Sequence, residues 1–351
     1  MNRALWLAMA LGMAGPAATL SMAVPAATFS TTAPAAADPD LAALEARIRR
    51  LADSSGADVG VGIRHLETGR EVYLAPDRPF LMGSTFKVAV AVRLLALVDR
   101  GLDRLDRLVP LAAGDIFPSG SLLSERFRDS KDPGAHLALR RYLELMLILS
   151  DNAATDVVLR QIGGPEAVTA HVRSLGVEGM RIDRTVMDIY RDYVGLAELP
   201  PFESRNLDTL VRLMSAIPRD QLAEAQRRYH ASEKDRATPR AMIALLTRIG
   251  RGEALSPAGT ETLLGIMRRE ETGVDRIRRH LPKGTPVANK TGSYGTVVTN
   301  DVALVDLPDG AGRLAIAVFT EDRAPSEAAK ERLIADIARA AFETFRRPGR
   351  E

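Results

Sequence analysis

Met82-Gly83-Ser84-Thr85-Phe86-Lys87 opens onto Val88-Ala-Val-Ala-Val-Arg-Leu-Leu-Ala-Leu-Val98, the most apolar helical pattern in the chain. The apolar spacing from Thr85 to Val98 predicts a helix that ends near Gly101. At its start, a serine and a lysine three residues apart share one helix face. A helix N-terminus favours negative charge developing on the serine oxygen. A neutral amine beside that oxygen can take its proton. Lysine can lose a proton in a desolvated site, whereas arginine in practice cannot. Only six of the 47 basic residues are lysine, so Lys87 departs from the habit of the chain. Alone, Ser-x-x-Lys is a weak signal and reads more readily as a helix cap followed by a solvated side chain. Its surroundings decide between the two.

Upstream, Asp40 to Ala52 reads as a helix with Leu41, Leu44, Ile48 and Leu51 on one face. Val59–Ile63 and Glu71–Leu74 then read as two strands joined at Glu67-Thr-Gly69. Downstream, helices are predicted over Leu139–Leu149, Ala153–Ile162 and Pro165–Leu175. Arg184 to Glu233 mixes polar, proline-marked and amphipathic pieces, with a helix expected over Leu207–Ile217. Thr238-Pro239 and Ser256-Pro257 each start a helix, running to about Ile249 and Arg268. Strands return at Val287–Lys290, Thr299–Leu307 and Arg313–Phe319, and a helix over Ser326–Phe345 closes the chain. The economical solution is an α/β fold of the α+β type. One antiparallel sheet is built from both chain ends, and a helical lobe, about 84–282, is inserted between them. A catalytic cleft is expected where lobe and sheet meet.

The chain has 351 residues, with a formal net charge of +2, 46% hydrophobic and 26% charged residues. That mix excludes wholesale disorder. A near-neutral balance gives no basic field for a nucleic-acid partner. The absence of cysteine excludes disulfides, thiolate metal sites and a cysteine nucleophile. The five histidines form no ligand-spaced pair, so neither a metal nor another cofactor is expected. Arg3 precedes the apolar run Ala4–Met13, and Ala35-Ala36-Ala37 supplies small residues for cleavage. That order predicts a signal peptide over 1–37, a periplasmic or secreted product, and no membrane segment after its removal. Residues 38–351 are expected to form one monomeric domain.

Two more triplets carry chemistry. Ser150-Asp151-Asn152 lies between two predicted helices, where its serine can relay a proton and its asparagine can bind an amide oxygen. Lys290-Thr291-Gly292, followed by Ser293, ends a predicted strand. Its lysine can bind a carboxylate, and its glycine permits close backbone approach. The amides of Ser84 and Ser293 can together form an oxyanion hole. In this order and these contexts the chain resembles the serine β-lactamase and penicillin-binding superfamily, closest to class A. Leu66-Glu-Thr-Gly69, Phe80–Val88, Thr238-Pro-Arg-Ala-Met242 and Thr272-Gly273 to Arg276 extend the resemblance over roughly residues 40–345. It implies Ser84 as the acylated nucleophile, Lys87 as proton acceptor, and Ser150 as donor to the leaving lactam nitrogen. It also implies Asn152 on the acylamide of a small-molecule substrate, with Lys290, Thr291 and Ser293 on its carboxylate.

The resemblance breaks at one place. Class A enzymes carry a deacylating glutamate shortly after an Asp-Arg pair. Here Asp183-Arg184 is followed by Val186 at that position, and more than fifty residues separate Asp183 from Thr238. Asp188 is the nearest acid and the first candidate to activate the deacylating water; Asp192 and Glu203 are the others. Acylation needs only serine, base and oxyanion hole, whereas hydrolytic turnover also needs a base for water. The expected activity is β-lactam hydrolysis. The alternatives are a D-alanyl peptidase or esterase, a slow-turnover penicillin-binding protein, and a non-catalytic binding domain, the last opposed by the intact Ser84, Lys87, Ser150 and Lys290.

Overall fold

Strand β1 (Asp58–His65, Asp-Val-Gly-Val-Gly-Ile-Arg-His) shows why the sheet is covered on both faces. Successive side chains of a strand point to opposite faces. Val59, Val61 and Ile63 enter one apolar cluster with helix α1 (Pro39–Ser55) and the C-terminal helix. Gly60 and Gly62 face the other way, because a Cβ there would collide with Phe80 and Ile243 respectively. Valine on one face and glycine on the other therefore let both layers approach. Each fully buried Val or Ile contributes about 1.5–3 kcal/mol.

A computed structural model describes residues 38–126, 136–321 and 326–346. The expected signal segment lies outside the described residues. After β1 come β2 (Glu71–Leu74), β3 (Phe80–Leu81), a 3-10 turn over Gly83–Phe86, and α2 (Lys87–Asp99). The lobe continues with β4 (Leu108–Pro110), α3 (Leu122–Arg126), β5 (His136–Ala138), α4 (Leu139–Ile148), α5 (Asn152–Gln161) and α6 (Gly164–Ser174). Next are α7 (Val186–Val194), α8 (Leu207–Ser215), α9 (Arg219–Ala231), β6 (Arg236–Ala237), α10 (Pro239–Gly250) and α11 (Pro257–Met267). The chain then returns to the sheet with β7 (Val287–Tyr294), β8 (Val298–Asp306) and β9 (Arg313–Glu321), and α12 (Glu327–Phe345) follows.

The main sheet is antiparallel, in the order β2-β1-β9-β8-β7, so strands from both ends of the chain meet at β1–β9. The side opposite α1 and α12 joins the larger core, where α10 packs against Ala315, Ala317 and Phe319 of β9. Helix α2 lies in that core with Lys87 to Val92, Leu94 and Leu95 all buried. A helix apolar on every side is a buried one. Asp38 to Glu351 forms one compact unit. Among the described residues, no helix is long and apolar enough to cross a membrane.

Most predicted elements stand within a few residues of their expected bounds, and three differ informatively. The α-helix begins at Lys87, with Ser84 in the 3-10 turn before it. Strand β7 does not stop at Lys290 but runs through Thr291 and Gly292 to Tyr294. The stretch after Arg184 is a helical insertion of α7, α8 and α9. Its neck is tied by Arg184 to Asp235 at 2.6 Å and by amide–carboxylate bonds between Asp183 and Asp235 in both directions, 2.7 and 2.9 Å.

Candidate active site

The nucleophile turn is held by strands as well as by the start of its own helix, where the Lys87 amide donates to the Ser84 and Thr85 carbonyls. Asn300 of β8 donates its side-chain amide to the carbonyls of Leu81 (2.8 Å) and Met82 (3.0 Å) and accepts from the Thr320 amide (2.9 Å). Gly292 of β7 is pressed against the same turn. A Cβ on it would lie 2.4 Å from the Met82 carbonyl oxygen and 2.9 Å from the Ser84 nitrogen. As an edge strand, β7 leaves its outer backbone edge facing the cleft beside Ser84. Gly83, at φ +52°, takes the left-handed conformation that lets the chain turn there.

Lys87 is completely buried. Its amine donates to the Ser150 carbonyl (2.6 Å), the Ser150 Oγ (3.2 Å) and the Asn152 Oδ1 (3.0 Å). Burial pushes it well below the usual lysine range, and the charge of Lys290 pushes the same way, against the pull of Asp151 and Asp156. Ser150 itself is a non-glycine residue at φ +56°. Such a conformation costs on the order of 1–3 kcal/mol and persists only where the surroundings impose it. Here Asp151 imposes it. Its buried carboxylate accepts from the Ala154 amide (2.8 Å), the Ser121 hydroxyl (2.9 Å) and the Leu123 amide (3.1 Å). Asp151, not Asn152, is therefore the cap of α5, which leaves Asn152 to face the cleft.

On the opposite wall, Lys290 is fully buried and donates to the Thr291 carbonyl (3.0 Å). Burial pushes its amine down to about 8, although Glu270 and Asp301 hold it up. Glu270 accepts from the hydroxyls of Thr272 and Thr291 and from the Gly273 amide (3.0 Å). Asn289 bridges Glu270 (3.3 Å) and Asp301 (3.2 Å). Arg276, 4% exposed, donates to Ser293 Oγ (2.7 Å) and to the Asn300 carbonyl (2.9 Å). In this wall the cations Lys290 and Arg276 alternate with the carboxylates of Glu270 and Asp301, and Arg276 also pairs with Glu327 and Glu331. Arg276, Glu270 and Asn300 were missed in the sequence; the short spacing of Thr272 to Arg276 was the only signal for the first of them.

Two cavities meet at Ser84. One, about 380 Å³, is lined by Ser150, Thr272, Arg276, Thr291 and Ser293 among others. The second, about 230 Å³, is lined by Phe117, Val186, Tyr190, Tyr193, Tyr229 and Tyr294 among others. Ser84, Asn152 and Ser293 line both. Ser84, Ser150, Asn152, Thr291 and Ser293 thus line the cavities, while Lys87, bonded to Ser150 and Asn152, and Lys290, bonded to Thr291, are buried behind them. Asp188 is placed differently. Its carboxylate accepts from the Thr185 hydroxyl (2.7 Å) and Arg191 (3.2 Å) on its own helix, and it lines neither cavity. Asp192 is paired with Arg184 and Arg191, and Glu203 lies exposed on a 3-10 turn. Asp156, one turn beyond Asn152, accepts the first two amides of α7, Val186 (2.7 Å) and Met187 (2.9 Å). Burial raises its carboxyl to about 7. Among the described residues no group of three or more histidine or acidic side chains is placed to hold a metal ion.

Residues 43–345 match the model of the Beta-lactamase enzyme family. A β-lactamase from Streptomyces albus G is 29% identical over 301 residues, covering 86% of this chain and 84% of that protein. β-Lactamase CTX-M-6 from Salmonella typhimurium is 28% identical over 295 residues, covering 84% and 86%. The crystal structure of a β-lactamase from Chitinophaga pinensis superposes with a TM-score of 0.70 at 30% identity, covering 86% of this chain and 98% of that one. An ancestral class A β-lactamase of Gram-negative bacteria gives 0.69 at 30% identity, covering 86% and 99%.

Proposed function

The chain belongs to the β-lactamase enzyme family, and on that premise we propose that it is a serine β-lactamase working through an acyl-Ser84 intermediate. The observation that carries this reading is the buried Lys87 amine, hydrogen-bonded to Ser150 and Asn152 in the floor of the cleft. Burial favours its neutral form, the form that accepts a proton. Lys87 takes the Ser84 proton as Ser84 Oγ attacks the lactam carbonyl. The amides of Ser84 and Ser293 hold the oxyanion. The C–N bond then breaks, and the proton returns from Lys87 through Ser150 to the departing nitrogen. Lys290, Thr291, Ser293 and Arg276 bind the substrate carboxylate, and Asn152 binds the acylamide.

Release of the acyl group requires a second proton transfer, from water. Val186 stands where an acid was sought, and Asp188 is held by Thr185 and Arg191. The Lys87 amine, neutral again after acylation, is the base assigned to this step, and it returns the proton to Ser84 Oγ on collapse. A missing carboxylate base slows release, so a longer-lived acyl-enzyme than usual is the second reading that Val186 favours.

Asp188→Asn is expected to leave release within about twofold, because removing a true general base costs roughly 10²–10⁴. A loss of that size would assign the step to Asp188. Ser84→Ala is expected to lower β-lactam hydrolysis, followed as loss of lactam absorbance, by at least about a thousandfold. Lys87→Arg puts a permanently charged group in that position that cannot act as base, and is expected to fall by about 10²–10⁴. Retained hydrolysis in either variant would contradict the assignment. Export to the periplasm or medium, and a role in antibiotic resistance, complete the proposal, supported by the signal-like order of Arg3, Ala4–Met13 and Ala35–Ala37. We take the working form to be a monomer. Cell fractionation and N-terminal sequencing of the product check the export reading.

A further inference from the structure

A third cavity, about 370 Å³, shares no lining residue with the two that meet at Ser84. Its walls come from the end of α11 and from the segment that leads into β7. Arg268, Arg278, Arg279 and Lys283 line it, and no acid does. Val274 and Leu281 add apolar surface beside them.

Two of these four cations are already answered. Arg268 meets Glu261 (3.2 Å) and Asp306 (3.7 Å), and Arg279 meets Asp275 (2.9 Å). Arg278 and Lys283 pair with no carboxylate among the described residues. Arg278 is held by neutral acceptors instead. Its Nε donates to Asn289 Oδ1 (2.8 Å), and its Nη2 to the carbonyls of Val287 (2.9 Å), Arg268 (3.0 Å) and Met267 (3.3 Å). The last two carbonyls end α11, so the guanidinium caps that helix. Capping accounts for Nε and Nη2. Nη1 makes no hydrogen bond among the described residues, and a guanidinium clamped at one edge loses little freedom on taking a further oxygen. Lys283 is exposed on a turn that Thr285 closes, with its amide (3.1 Å) and its hydroxyl (2.8 Å) both donating to the Pro282 carbonyl.

Two unanswered positive charges over one cavity match a dianion. A phosphate monoester carries about −1.5 to −2 near neutral pH, and its oxygens suit both a guanidinium and an ammonium. A single carboxylate would leave one cation unanswered. The volume falls within the range of small-molecule sites, roughly 300–1,000 Å³, and leaves room for an organic body beyond the phosphoryl group. We propose that this cavity is a second binding site, for a phosphate monoester, with Arg278 and Lys283 taking the dianion and Val274 and Leu281 covering its organic part. The site stands apart from the acyl-Ser84 reading.

The test is calorimetric titration of the full chain with glycerol 3-phosphate, with glycerol as the uncharged control. Saturable binding of the ester and none of glycerol is expected. Arg278 also caps α11, so the exposed Lys283 is the residue to change. Lys283→Gln is expected to weaken binding about tenfold, and Lys283→Arg to retain it. Both are expected to keep β-lactam hydrolysis within about twofold of wild type. Vesicles of phosphatidylcholine with and without phosphatidic acid distinguish the sources of the ester. Co-sedimentation only with phosphatidic acid, lost in Lys283→Gln, upholds the site and assigns it to a lipid headgroup. Binding of the soluble ester without co-sedimentation upholds it and assigns it to a free ester. Absence of saturable binding in the folded wild type overturns the inference, and so does binding undiminished in Lys283→Gln.

Discussion

Lys290 shows what one residue contributes and what pH does to it. Only its ammonium form attracts a carboxylate, and burial pulls its proton affinity down to about 8. The sign follows directly. As pH rises through about 8 the charge is lost, so KM for a β-lactam is expected to rise while kcat changes less. Because the folded value lies below the unfolded one, roughly 10.4, the same group makes folding more favourable as pH climbs between the two. Glu270 holds the amine up, so Glu270→Gln is expected to move the KM rise to lower pH. An unmoved KM profile would detach Glu270 from the site. At this scale the site was legible where residue type and local spacing carry the chemistry, as with Ser84, Lys87, Ser150, Asn152 and Lys290. Arg276, Glu270 and Asn300 were not, because each acts across strand register and loop packing that no local pattern records. Asp188 is drawn back onto its own helix for a local reason. At the third position of α7 it is captured by the Thr185 hydroxyl that caps the helix.

Among the elements, β7 is the most constrained. Gly292 touches the nucleophile turn with its α-carbon, so Gly292→Ala places a methyl 2.4 Å from a carbonyl oxygen. The turn must move, and acylation is expected to fall at least about a hundredfold with the far-ultraviolet spectrum unchanged. Full activity in that variant would disprove the close approach. The neck of the insertion carries the buried Arg184–Asp235 ion pair beside the amide–carboxylate bonds of Asp183 and Asp235. Removing one partner of such a pair costs about 3–5 kcal/mol. Asp235→Ala is therefore expected to lower the melting temperature and open 184–235 to proteolysis before the rest of the chain. Helix α10 was readable from Thr238-Pro239 because a cap and a first-turn proline act within four residues. Helix α9 was not. Only Ala225 and Tyr229 are buried along it, so its apolar stripe is too thin to stand out.

For the whole molecule, the architecture places chemistry at a seam. The sheet closes by pairing β1 with β9, which brings the two chain ends together and leaves β7 as the edge beside the lobe. The lobe supplies Ser84, Lys87, Ser150 and Asn152, and the sheet supplies Lys290, Thr291 and Ser293. That division was visible in the order of strands, helices and strands. The content of the insertion was not, because nothing local in it announces the aromatic wall that it lends to the cleft. The most direct test is intact-mass spectrometry of the wild type mixed with a penicillin and followed over time. The expected result is an adduct of the mass of one intact penicillin, absent in Ser84→Ala, that rises and then decays as hydrolysed product accumulates. A folded protein that forms no adduct would contradict acylation by Ser84, and an adduct that never decays would contradict turnover.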